Sequence, residues 1–250
     1  MRNFRQILKI PALAVLLVQG ACGGPASGSG VERAQLEEFE TRWIESAYFD
    51  RAMDYEGSRF RVLPMTRLVE RFGDGETDAV VLDCFDDYEG LLPVSDIRDY
   101  DLHLALELEI DPRYQRPDWL NPMLVVVPDG SDAPKQERYM TANIRRLRFV
   151  RRAEYYRPIA GKLPQDATVQ AGFRFFQDNC LFCHRLEGVG GNKGTALLSA
   201  FDFKSEAGRT GFWQAFAGFH HADNPDKQNM EQFAAGGALE RTAAFLAALQ

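Results

Sequence analysis

Cysteine is scarce in this chain: there are four in 250 residues, at positions 22, 84, 180 and 183. That excludes a disulfide-stapled scaffold. With one closely spaced pair and no second, it also excludes a zinc site built on paired cysteines. Histidine is equally scarce, and His103 is the single one between residues 31 and 158. No apolar run is long enough to cross a bilayer, since Ile10 to Val18 covers nine residues where about 20 are needed. An excess of positive charge is missing too: 29 Lys and Arg stand against 36 Asp and Glu, a formal net charge of −7, which argues against nucleic acid as a partner. The glycine-rich stretch Gly188 to Leu197 lacks the order that cradles phosphate. Lys193 precedes Gly194 where a Walker loop needs Gly-Lys-Ser/Thr, and the dinucleotide pattern needs glycine where Lys193 stands.

What is present is Cys180-Leu181-Phe182-Cys183-His184. Two thiols two residues apart, followed at once by an imidazole, are what covalent attachment of a c-type haem requires. Each thiol can add to one porphyrin vinyl group, and His184 can then reach the iron as an axial ligand. A redox disulfide of the thioredoxin type would open a helix after a strand. Here Val169, Gly172, Phe173, Phe176 and Cys180 recur at three-to-four-residue spacing, so the motif closes an amphipathic helix instead.

These residues resemble class I cytochromes c. In Gly172-Phe173-Arg174-Phe175-Phe176-Gln177-Asp178-Asn179-Cys180, a glycine and an aromatic one turn later precede the haem cysteines, as in that family's first helix. The resemblance implies one covalent haem c, held by Cys180, Cys183 and His184. It implies close crossing of the C-terminal helix at Gly172, with Leu239, Ala243, Leu246 and Leu249 as its packing stripe. Asn229-Met230-Glu231-Gln232-Phe233 resembles the family's methionine loop, which makes Met230 the second axial ligand; Glu231 replaces the usual proline. His220 and His221, ending the aromatic stretch Phe212, Trp213, Phe216 and Phe219, are the alternatives to Met230. Gly194-Thr195-Ala196-Leu197 corresponds to the family's Gly-Pro-x-Leu, so the Thr195 carbonyl is expected to accept the His184 ring N–H.

The first 22 residues explain how a haem could be attached. Arg2, Arg5 and Lys9 form a basic start, the short apolar run follows, and Gly20-Ala21-Cys22 reads as a small-residue cleavage site. With Cys22 at that point and a Gly/Ser-rich tether over 23–30, the segment resembles a bacterial lipoprotein signal, although Gln19 stands where that family prefers an apolar residue. The implied setting is the bacterial periplasm, with a lipid on Cys22 as membrane anchor. Cys84 is then the one cysteine without a role, and it reads as a small buried hydrophobe at a strand end.

The remaining length calls for two domains: residues 31–158 and the haem domain, 165–250, with a turn-rich link around Pro158 to Pro164. The expected elements of the first are a helix from Val31 to about Asp54, strands at Arg59–Leu63, Ala79–Cys84, Met123–Val127 and Ile144–Arg151, and helical pieces at Met65–Phe72 and around Leu91–Ala105. The arginines along and just after the last strand, Arg145, Arg146, Arg148, Arg151 and Arg152, read as a solvated face. Val81 to Ile97, then Leu104 to Leu108, Leu124 to Pro128 and Ile144 to Leu147, is similar to small domains of the sulfite-oxidase-like molybdopterin-binding fold. In the catalytic members a cysteine at such a strand end binds molybdenum, but Phe85-Asp86-Asp87-Tyr88 follows Cys84 here, so no molybdenum is expected. The fold class expected is an α+β N-terminal domain followed by an all-α cytochrome c domain. The expected function is electron transfer to or from a periplasmic oxidoreductase, with no catalytic residue of its own. The rivals are a haem or molybdopterin enzyme in its own right, and a haem-based sensor or assembly protein.

Overall fold

The strand Ala79–Cys84 (β4) is buried at all six positions, and the architecture follows from what covers it. It lies second from one edge of a four-stranded antiparallel sheet, between Ile144–Val150 (β8) and Glu89–Pro93 (β5), with Val31–Glu32 (β1) beyond β8. A second antiparallel sheet runs in the order Arg42–Glu45 (β2), Arg59–Pro64 (β3), His103–Glu109 (β6), Leu124–Val126 (β7). Leu82, Leu92 and Leu147 of the first sheet meet Leu63, Leu104 and Val125 of the second in one core, which Met65 and Leu68 of helix α2 (Met65–Phe72) complete. With both faces covered, β4 carries an unbroken Ala-Val-Val-Leu run rather than alternation. The computed structural model describes residues 30–220 and 237–250.

The division into an α+β domain followed by an all-α domain is corrected by this structure. The chain is α/β, with two antiparallel four-stranded sheets and, among the described residues, eight α-helices mixed through it. Helices α1 (Ala47–Met53), α2 and α3 (Val94–Asp99) alternate with strands, and α4 (Arg152–Ala160) follows β8. Then come α5 (Ala167–Asn179), α6 (Leu197–Ala200), α7 (Glu206–Phe219) and α8 (Ala238–Leu249). The physical reason is that the later helices are tied to the sheet. The Tyr155 hydroxyl of α4 donates to Glu89 of β5, Arg138, in the 3-10 turn Glu137–Met140 that joins β7 to β8, pairs with Asp178 of α5, and the loop after α5 bonds to the β4–β5 turn.

Several local expectations change as well. The helix expected from Val31 to Asp54 is broken into β1, a short 3-10 turn, β2 and α1, because Arg42 to Glu45 pair with Val62 to Arg59 of β3. Helix α1 begins where Ser46 accepts from the Phe49 N–H. The helical piece expected around Leu91–Ala105 shrinks to α3, which starts after Pro93. The link expected near Pro158 is helical through Ala160. The arginines of β8 are not simply solvated: Arg146 and Arg148 both donate to Asp83, and Arg148 also to Glu89.

His103 is fully buried and satisfied. Arg42 can only donate to its Nε2 (3.3 Å), so the ring is neutral with its proton on Nδ1, which donates to the Asp101 carbonyl at 2.6 Å. Burial lowers its pKa.

Candidate haem-attachment site

Asp166 starts α5 by accepting from the N–H groups of Thr168 and Val169, both at 2.9 Å. The helix buries Val169, Gly172, Phe173 and Phe176. At Gly172 a Cβ would overlap the Arg241 carbonyl of α8, so only glycine permits this crossing. Phe173 stacks on Phe245 across it, ring centres 5.2 Å apart. Ala243 and Leu246 of the expected stripe are buried there, with Leu239 and Leu249 half-buried.

Cys180 caps the helix, and the chain then turns tightly. The N–H groups of Cys183 and His184 both donate to the Cys180 carbonyl, at 3.1 and 2.9 Å. This brings the two thiols and the imidazole to one end of α5, each half-buried. The His184 Nδ1 lies 2.8 Å from the Thr195 carbonyl. A carbonyl only accepts, so Nδ1 carries the proton and Nε2 the lone pair that a metal takes. Gly194 lies flat against the same ring: a Cβ there would come 2.5 Å from Nδ1. The Gly194 N–H donates to the Cys183 carbonyl at 2.8 Å, which closes the loop onto the motif.

Of the candidates for the second axial position, His220 is the one the structure places. It caps α7, its ring stacks on Phe216 with centres 4.7 Å apart, and its centre lies 6.4 Å from that of His184. Met230, His221 and Cys22 lie outside the described residues.

Cys84 has a different environment. It is 5% exposed, and burial, with the acidic groups Asp86, Asp83 and Glu89 around it, pushes its thiol pKa up. At neutral pH it is a protonated, unreactive thiol.

The turn that holds the loop after α5 has no motif of its own in the sequence. Asp87 and Tyr88, in the turn between β4 and β5, and Glu89, the first residue of β5, lie against the motif itself: the Glu89 N–H donates to the Phe182 carbonyl at 3.1 Å, and Tyr88 stacks on Phe182 with ring centres 4.8 Å apart. The available signal was Asp83 and Glu89 on neighbouring strands, facing the alternate arginines of β8.

The residues fit a covalently held haem. They offer two thiols beside a ring whose tautomer is set for ligation through Nε2. Among the described residues no three of His, Cys, Asp and Glu gather as a bare metal ion would need, which a haem does not require because the porphyrin supplies four of the ligands. No protein-family model matches the chain, and no curated protein matches it.

Proposed function

We propose that this chain is a monohaem c-type cytochrome of the bacterial periplasm that exchanges electrons with a partner oxidoreductase. Its first 22 residues are a signal, Cys22 carries a lipid anchor, 23–30 form a tether, 31–158 is a cofactor-free docking part, and 165–250 carries the haem. One observation supports the reading above the others: Cys180, Cys183 and His184 meet at the end of α5 with His184 Nδ1 held by the Thr195 carbonyl. A bound haem supplies a one-electron iron couple. Cys180 and Cys183 would hold it, each S–H adding across one of its vinyl bonds. His184 would ligate it through Nε2, with the Thr195 carbonyl holding the ring's orientation and raising its basicity.

Met230 is the proposed second axial ligand, on the likeness of its loop to the methionine loop of class I cytochromes. One observation favours His220 instead. The His220 ring, beside the His184 ring with centres 6.4 Å apart, is near enough that both imidazoles could hold one iron.

The test is a denaturing gel stained for haem, followed by spectra of the single variants. Wild type is expected to keep its stain; a colourless wild-type band from cells able to attach haem ends the cytochrome reading. Met230→Ala is expected to abolish the weak near-infrared sulfur-to-iron band and to lower the potential. If His220→Ala alone perturbs the spectrum, the histidine reading replaces methionine. Rapid binding of carbon monoxide by wild type would instead mark an open iron, and with it an enzyme or a gas sensor.

A further inference from the structure

We infer that Glu89 is a positioning residue for His184, acting through the glycine loop that carries Thr195. The inference rests on the haem reading of the site, but its geometry is independent of Met230 and His220.

Glu89 is the first residue of β5, and its side chain is 13% exposed. Its backbone N–H donates to Phe182, the residue before the second haem cysteine. One carboxylate oxygen accepts from the Gly190 N–H at 3.0 Å and from the Tyr155 hydroxyl; the other accepts from Arg148 at 2.8 Å. Gly190 begins the loop that ends at Thr195. Next to it, the Asn192 N–H donates to the Asp87 carbonyl at 2.7 Å. At Gly191 a Cβ would overlap the Phe182 carbonyl, so the loop is seated against the motif with no room between them. The Lys193 ammonium lies 5.7 Å from the centre of the Tyr88 ring, over the same turn.

The loop is therefore fastened at both ends. At one end, Glu89 and Asp87 hold Gly190 and Asn192. At the other, Gly194 bonds to Cys183 and Thr195 to His184. A charge-assisted bond from a buried carboxylate to a backbone N–H is among the stronger kinds. Losing it leaves the Gly190 N–H unsatisfied in a buried place and loosens the start of the segment that aims the imidazole, which the Gly191 N–H to Leu181 and Asn192 N–H to Asp87 bonds still hold. Burial pushes the Glu89 carboxyl above its ordinary range, against the Tyr155 and Arg148 contacts that favour its charge. The sheet on this account is not a detachable docking module, because its β4–β5 turn forms one wall of the haem-attachment loop.

The test compares wild type, Glu89→Ala, Glu89→Gln and Tyr155→Phe in the full chain. Arg138→Ala, which cuts the separate tie to Asp178, is the control. Amide hydrogen exchange at Gly190, Asn192 and Gly194 is read together with the reduction potential and the His184 ring resonances. Glu89→Ala is expected to speed exchange at Gly190 by about tenfold or more and to shift both the potential and the ring signals. Glu89→Gln, which keeps an acceptor oxygen, is expected to restore most of the protection, and Arg138→Ala to leave the loop unchanged. Exchange in Glu89→Ala within about twofold of wild type, with the same potential, would overturn the assignment. So would a Gln variant that exchanges as fast as Ala. If Glu89→Ala does not fold, Tyr155→Phe decides: faster exchange at Gly190 supports the role, and wild-type exchange refutes it. A colourless wild type would refute the haem reading, while the exchange comparison would still decide whether Glu89 holds the loop.

Discussion

The end of β4 and the end of α5 each present cysteine, in opposite surroundings. Cys84 is sealed between two sheets among carboxylates, which disfavour a thiolate. Cys180 and Cys183 sit half-buried on a turn, beside an imidazole oriented by a carbonyl. Burial and neighbouring charge, not residue type, make Cys84 a packing cysteine. The two ends also lean on one another, since the turn that follows β4 is bonded to the motif that follows α5.

The largest effects should come from the cysteines themselves. Cys180→Ser combined with Cys183→Ser is expected to abolish covalent haem, whereas Cys84→Ser should leave the haem stain intact. In haem-free reduced protein, alkylation should modify Cys180 and Cys183 quickly and Cys84 only on unfolding, as read by mass spectrometry of peptides. Fast labelling of Cys84 in the folded chain would break the contrast.

Stability should divide along the same lines. Leu82→Ala, beside Cys84 in the core, is expected to cost about 2–5 kcal/mol. Gly172→Ala, which forces α5 from α8, is expected to cost about 1–3 kcal/mol. Cys84→Ser, a hydroxyl in place of a buried thiol, should cost about 1–3 kcal/mol. Denaturant midpoints with unchanged slopes check all three. A Cys84→Ser variant as stable as wild type would show that its pocket is wetter than its burial implies.

The smallest effect is on pH dependence. His103 is buried neutral, so its folded pKa lies below the ordinary value of about 6.5. Its stabilisation is fully present above that pH and is lost as pH falls below it, because the unfolded chain then binds the extra proton. A His103→Gln variant should lose this slope in denaturation curves as pH falls below about 6.5.

Much of this was legible in the sequence, and the exceptions share a cause. Helix α2 and strand β4 fall where hydrophobic pattern and turn residues put them, and α5 follows its apolar stripe into the motif. The Thr195 carbonyl meets His184, and Gly172 meets α8, as the resemblance implied. The helix expected over Val31–Asp54 failed because Leu36, Phe39, Trp43 and Ile44 suit a helical stripe, while the pairing of β2 with β3, a long-range contact, decides the outcome. The division into two unlike domains failed for the same reason. Strand β6 carries the alternation Leu104, Leu106, Leu108 that Leu102 begins, but its start falls within the helical piece expected around Leu91–Ala105. Glu89, Tyr155 and Arg138 are ordinary polar residues in sequence, and only the fold makes them the ties between sheet and helices.

The intact mass of the protein purified from bacteria equipped for covalent haem attachment tests the central claim most directly. The account predicts one haem per chain that survives denaturation, lost when Cys180 and Cys183 are both replaced and kept when Cys84 is. A wild-type chain of unmodified mass at those two cysteines would contradict it.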